Sequence, residues 1–226
     1  MKRLIAACVF CLTFNASAAT VTWTDWLSVT SWNGVSQTAH GQLVNGGDTV
    51  DIWLTSNSAF YGWALNGSPY WTGPAYTNGI VDNSPLGQDQ IMLGAGGTAT
   101  ITFSQAIDTP LIAMNSWNSN VVNFSQNVNI DSYGAGYWGN GVPVNITSTG
   151  FSGSGEFHGV VAMTGDVTSF SMTHTTEYWH GLTIGVVGTS VPAPAALGVF
   201  AFGLLMSGRR RRQTAFHQGN HGQIRV

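Results

Sequence analysis

Beyond the first twenty residues the chain alternates short apolar stretches with polar turns, and the stretches are too short for helices. Val142–Thr147, Glu156–Met163, Val167–Thr173 and Leu182–Val187 are rich in Val, Ile, Thr and aromatic residues, which suit a pleated surface. Between Val121 and Ile130 the pattern is explicit. Val122, Phe124, Val128 and Ile130 share one parity and Asn123, Asn127 and Asn129 the other, with Gln126 breaking the rule. Such alternation predicts strands with one buried face. No segment here carries a long 3.6-residue apolar period with caps.

The punctuation agrees. Asn-Gly dipeptides occur at 33–34, 45–46, 66–67, 78–79 and 140–141, and Asn-Gly tolerates the positive φ angles of tight hairpin turns. Thr98–Phe103 and Pro110–Met114 read as a paired hairpin joined through Gln105–Thr109. Nine or ten short strands in one domain predict an all-β fold, an antiparallel β-sandwich of jelly-roll-like winding. Ser56–Gly97, with Pro69, Pro74 and Pro85, reads as long loops across one end of it, and long loops tend to carry function. No fixed-period repeat is present, which disfavours a solenoid or propeller.

The two ends have a different character. Met1-Lys2-Arg3 precedes an apolar run, Leu4–Phe14, and then Asn15-Ala16-Ser17-Ala18-Ala19. That order predicts a secretory signal peptide over 1–18, with Ala16 and Ala18 in the small-residue subsites of the cleavage site. Ile5-Ala6-Ala7-Cys8 is too near the start to be a lipoprotein site. Both cysteines, Cys8 and Cys11, fall inside this segment, so the exported domain, 19–190, has no thiol nucleophile, Cys-ligated zinc or disulfide.

After Ser190 come Val191-Pro192-Ala193-Pro194, the apolar run Ala195–Met206, and Arg209, Arg210, Arg211 and Arg212. The run holds 12 residues, and it approaches the roughly 17–25 of a spanning helix only with its flanks counted. Arginines directly after it belong on the cytoplasmic side, leaving the domain outside. Order and position of these parts resemble the PEP-CTERM sorting tail of exported Gram-negative proteins, here over 191–212 with a polar tail at 213–226. Ala193 stands where that motif has glutamate. The resemblance implies passage through the secretion translocon and an intermediate anchored in the inner membrane. It further implies processing by an exosortase, then delivery to the cell surface or exopolysaccharide matrix. More weakly, the blocks around Glu156-Phe157-His158, Gly165–Phe170 and Glu177–Gly181 look similar to the last strands of other exported domains bearing this tail, which implies a β-sandwich and no particular activity.

Charge narrows the possibilities. All seven Lys and Arg sit at the ends, and all ten Asp and Glu lie between Asp25 and Glu177, so the exported domain carries a formal charge of −10. Nucleic-acid binding is excluded, because it relies on basic side chains against phosphates. Phosphoryl transfer lacks its usual basic clamp. Such a surface attracts cations.

Catalytic motifs are absent. Gly150-Phe151-Ser152-Gly153-Ser154 lacks the final glycine of a nucleophile elbow, and no zinc helix, phosphate loop or EF-hand occurs. Glu156 and Glu177, the only glutamates, each lie near a histidine and aromatics. On neighbouring strands they would form a carboxylate pair for glycoside hydrolysis; otherwise Glu177 and His180 cap a strand end. His40, His158, His174 and His180 show no zinc spacing. Asp82 with Asp89, or Asp48 with Asp51, offers oxygen ligands for calcium. Among nine tryptophans, Trp53 reads as core. Trp71, Trp138 and Trp179, set among turns, read as faces for a sugar ring. The expectation is a non-enzymatic surface or matrix protein that binds extracellular polysaccharide and needs no cofactor. A secreted glycosidase and a purely structural biofilm component are the alternatives.

Overall fold

Alternation decides which side of each strand enters the core. Along Asp48–Ser56, Val50, Ile52 and Leu54 are buried while Asp51 and Trp53 face outward. The computed structural model describes residues 20–77 and 84–188. Its fourteen strands, numbered in chain order, are β1 (Val21–Trp23), β2 (Asp25–Val29), β3 (Gln37–Asn45), β4 (Asp48–Ser56), β5 (Gly62–Ala64), β6 (Gln90–Leu93) and β7 (Gly97–Asp108), then β8 (Leu111–Asn118), β9 (Val121–Phe124), β10 (Val128–Tyr133), β11 (Gly141–Val144), β12 (Gly150–Met163), β13 (Asp166–His174) and β14 (His180–Val187). No α-helix occurs among the described residues; a single 3-10 turn spans Pro74–Tyr76.

Every strand pairing is antiparallel. One sheet runs β2-β3-β4-β7-β13-β9-β12-β11. The other runs β10-β12-β8-β14-β6-β5, with β1 beside the far half of β14. From β6 to β9 successive strands alternate between sheets, and β12, β13 and β14 do so again. That is the jelly-roll winding expected from the sequence. β12 belongs to both sheets: Gly150–Gly155 pairs with β9 and β11, and Glu156–Met163 with β8 and β10. Gly155, at φ 73, sits where it changes sheets.

The core lies between the sheets, where Ile52, Leu54, Ile101 and Phe103 meet Ile112, Met114, Leu182 and Ile184. Each fully buried aliphatic of this kind contributes about 1.5–3 kcal/mol. A second, smaller cluster covers the outer face of the β8–β12 sheet, where Trp71, Ala75 and Tyr76 pack on Leu111, Ala113, Val160 and Ala162. Central strands of this sheet are therefore buried on both faces.

Four expectations are corrected. Thr98–Phe103 and Pro110–Met114 are not a hairpin: β7 pairs with β4 and β13, β8 with β12 and β14. The link through Thr109, at φ 48, and Pro110 carries the chain from one sheet to the other. Val121–Ile130 is two strands in different sheets, parted at Ser125–Asn127 where Gln126 broke the alternation. Trp53 is not core; it shares the outward parity of Asp51 and stacks on His40 at 5.4 Å. Ser56–Gly97 is less irregular than expected, since it supplies β5, β6 and the 3-10 turn that roofs the second sheet. Of the Asn-Gly dipeptides, 45–46 makes the predicted hairpin, with Gly46 and Gly47 both at positive φ between Asn45 and Asp48. That at 140–141 instead enters β11, and 78–79 lies outside the described residues.

Candidate functional site

The site is made by one extra residue in β8. Opposite β12, Asn118 faces Glu156 and Trp117 faces Phe157, but the next pair is Met114 with Gly159. Two residues of β8, Asn115 and Ser116, thus oppose the single His158, a β-bulge with Ser116 at φ 59. An extra residue inverts the faces of everything beyond it. Ile112 and Met114 point into the core, and without the bulge Ser116 and Asn118 would follow them. Instead Trp117 turns inward, and Ser116 and Asn118 face out beside Glu156.

Glu156 shares its β12 face with His158, Val160 and Ala162. The roof of Trp71 and Tyr76 covers the last two, and His158 lies beneath the Tyr76 hydroxyl at 3.3 Å. At Glu156 the surface opens. The opening is a cleft of about 500 Å³ lined by Ser116, Asn118, Ser119, Trp138, Glu156, Glu177, Tyr178 and Trp179. Glu177, Tyr178 and Trp179 come from the β13–β14 link and Trp138 from the β10–β11 link.

Both carboxyls hold the same asparagine. Glu156 accepts from the Asn118 side-chain amide at 3.0 Å and from the Ser116 hydroxyl at 2.6 Å. Glu177 accepts from the Asn118 backbone N–H at 2.8 Å. Its other oxygen faces the Asn120 amide at 3.5 Å and His180 Nδ1 at 3.4 Å. Asn118 stands between Ser116 and Ser119, both non-glycine residues in the left-handed region at φ 59 and 53. Strain of this kind persists where surrounding contacts enforce it.

Burial pushes the Glu177 carboxyl up to about 7, opposed by the bonds from Asn118 and Asn120 and reinforced by the charge of Glu156. Behind it, His180 Nε2 lies 3.1 Å from His174 Nδ1, and the Trp117 ring packs 4.3 Å from His180. Burial drives His180 down to about 3, and burial with its neighbour His180 drives His174 to about 4. His158 also falls to about 4 by burial, against the pull of Glu156. Glu177 and His180 therefore form no ion pair near neutrality: burial keeps the imidazole neutral, while the carboxyl is divided between its two forms.

An aromatic wall flanks the carboxyls. Trp138 and Trp179 meet at 5.7 Å and Tyr70 lies 5.5 Å from each. Tyr137 packs 4.8 Å from Trp138, and Tyr178 pairs with Tyr61 at 5.5 Å on the rim. Trp138 keeps 45% of its surface exposed.

The structure thus brings together Glu156, Glu177, Trp138 and Trp179 from the expected candidates. Trp71 does not join them: it is fully buried against Tyr76 and serves the roof, so it offers no face to a ligand. The calcium candidates are dispersed. Asp51 accepts from Gln42 and pairs with His40, each at 2.9 Å, and Asp48, three residues away on β4, points to the opposite face. Asp89 clamps the backbone N–H groups of Trp26 and Gly67, and Asp82 lies outside the described residues. Among the described residues no group of three or more His, Asp or Glu could hold a metal ion, and no helix is long and apolar enough to cross a membrane. Ala16, Ala18, Val191, Pro192, Pro194 and Arg209–Arg212 also lie outside them.

Ser116, Asn118, Ser119 and Tyr178 escaped the sequence reading. The signal for the first three was the run Asn115–Asn120, polar but for Trp117, which breaks off an apolar strand without any Gly or Pro. Comparison of the chain with known protein families, with curated proteins and with solved structures gives no match.

Proposed function

We propose that this chain is an exported saccharide-binding β-sandwich of the cell surface or extracellular matrix, and that it binds in the cleft between Trp138, Trp179 and the two glutamates. The carrying observation is the meeting of the exposed Trp138 and the half-buried Trp179 with hydrogen-bonded carboxyls in one cavity of about 500 Å³. Concave sites that join apolar walls to a few convergent polar groups are the usual form of a small-molecule site. An indole face stacks on the C–H face of a sugar ring while Glu156, Glu177 and Asn118 take its hydroxyls. Export rests on the signal-peptide pattern ending at Ala18 and the tail from Val191 to Arg212.

Retention of the purified full-length chain on immobilised polysaccharides tests the binding. Trp138→Ala and Trp179→Ala are expected to abolish retention on whichever polymer holds the parent chain; unchanged retention by both variants contradicts the assignment. Mass spectrometry of the protein from its host tests the address, with termini expected at Ala19 and near Pro192. An intact signal peptide or an intact arginine cluster contradicts export or tail removal respectively.

One observation favours hydrolysis as a second reading. A carboxyl raised to about 7 beside another carboxylate is the pairing of acid and base that glycosidases use, with Glu177 as acid and Glu156 as nucleophile or base. Glu156→Gln and Glu177→Gln would then each abolish the release of reducing ends. No release by the parent chain on polymers that it retains removes this reading.

A further inference from the structure

Resting on the saccharide reading, we infer that the cleft selects a sugar bearing a free, cationic amino group, a hexosamine unit, over its N-acetylated or neutral counterpart. Two carboxyls line one cleft, and neither has a cationic partner. No Lys or Arg occurs anywhere between Arg3 and Arg209, so the described domain has no fixed positive charge to offer them. The imidazoles nearest to them cannot substitute. His158 and His180 are fully buried behind the carboxyls, where the charged form is disfavoured, and His40 is committed to Asp51 on β3 and β4.

The bonds from Ser116, Asn118 and Asn120 satisfy part of each carboxyl's capacity. A carboxylate accepts about four hydrogen bonds, so oxygen lone pairs remain for a ligand. An ammonium brings three donors and the missing charge. Its approach also relieves the repulsion from Glu156 that helps to hold the Glu177 carboxyl up. The walls agree with this chemistry. Trp138 and Trp179 line the cleft, and an indole face attracts a cation as well as a sugar ring. An anionic sugar brings like charge to the carboxyls, and an N-acetyl group brings them no positive charge.

Three hexasaccharides with one linkage, of glucosamine, of N-acetylglucosamine and of glucose, differ only at the second carbon and separate the possibilities. Titrations of the full-length chain, read by tryptophan fluorescence and calorimetry near pH 7, are expected to give glucosamine the tightest binding, by about tenfold over glucose, or about 1.4 kcal/mol. That preference shrinks as ionic strength rises toward about 1 M, where the screening length falls to about 3 Å. In the double variant Glu156→Gln/Glu177→Gln the ratio falls to about one, with the cooperative melt retained to show that the domain is folded. Equal or tighter binding of the glucose hexamer overturns the selectivity and leaves the saccharide site standing. Binding of none of the three overturns both. A glucosamine preference that survives in the double variant overturns the role given to the carboxyls.

Discussion

Three buried histidines and the half-buried Glu177, in and behind the cleft, set the pH dependence of the domain. Glu177 is an acid whose folded-state value, about 7, lies above the unfolded 4.5. Its contribution is fully present below pH 4.5 and is lost as pH rises through 7. His158, His174 and His180 have values depressed from 6.5, so their contribution is present above 6.5 and is lost as pH falls through about 4 and, for His180, about 3. The melting temperature is expected to climb from pH 4 to about 7 and then to level off, because the three histidines outweigh the glutamate over the whole range. Glu177→Gln keeps an acceptor for the Asn118 N–H and removes the ionisation, so it raises stability at pH 8 by on the order of 2 kcal/mol and steepens the climb between pH 4.5 and 7. Calorimetry of parent and variant across the range checks this; a stability difference between them that does not grow from pH 4.5 to 7 contradicts the raised Glu177 carboxyl. At this scale the sequence was half legible. The two glutamates and two of the three candidate tryptophans do meet in one cleft, but Trp53 and Trp71 exchanged places between surface and interior. Trp53 sits in an apolar run yet takes outward parity, and Trp71 sits among turns that a distant roof buries.

Among the elements, β12 decides where the cleft lies. It crosses between the sheets at Gly155, where φ is 73 and an added Cβ would lie 2.8 Å from the Asn140 carbonyl. Glu156 is the first residue past that crossing. Gly155→Ala is expected to cost about 1–3 kcal/mol through strain in the left-handed region, and to weaken saccharide binding by displacing Glu156. Gly62→Ala on β5, with ordinary φ and only Met92 Sδ at 3.6 Å, should lie within about 0.5 kcal/mol of the parent. Urea midpoints of the two variants check the contrast, and equal midpoints contradict it. Strand existence was readable from period-two patterning at β9 and from stretches rich in Val, Ile, Thr and aromatics at β13 and β14. Pairing was not, because alternation reports which face is buried and says nothing about the partner. Hence β7 and β8, adjacent in sequence, looked like a hairpin while lying in different sheets. The bulge at Ser116 was hidden as well, since one extra residue in a polar run leaves no period to measure.

In the whole molecule, charge and address go together. The domain has ten acidic residues and no Lys or Arg, and the basic residues lie only within the predicted signal segments and near the far end of the chain, at Arg225. A chain so built resists self-association and leaves its cleft carboxyls to be neutralised by a ligand. The all-β sandwich was legible from turn dipeptides and alternation, and the cleft follows from how that sandwich joins its two sheets. The central claim is that this cleft, and no other surface, takes the saccharide. Indole N–H resonances of the nine tryptophans, followed by NMR during titration with the glucosamine hexasaccharide, address it directly. Those of Trp138 and Trp179 are expected to move, while the buried Trp26, Trp71 and Trp117 stay in place. Shifts confined to Trp32 or Trp53, or none at saturating ligand, contradict the account.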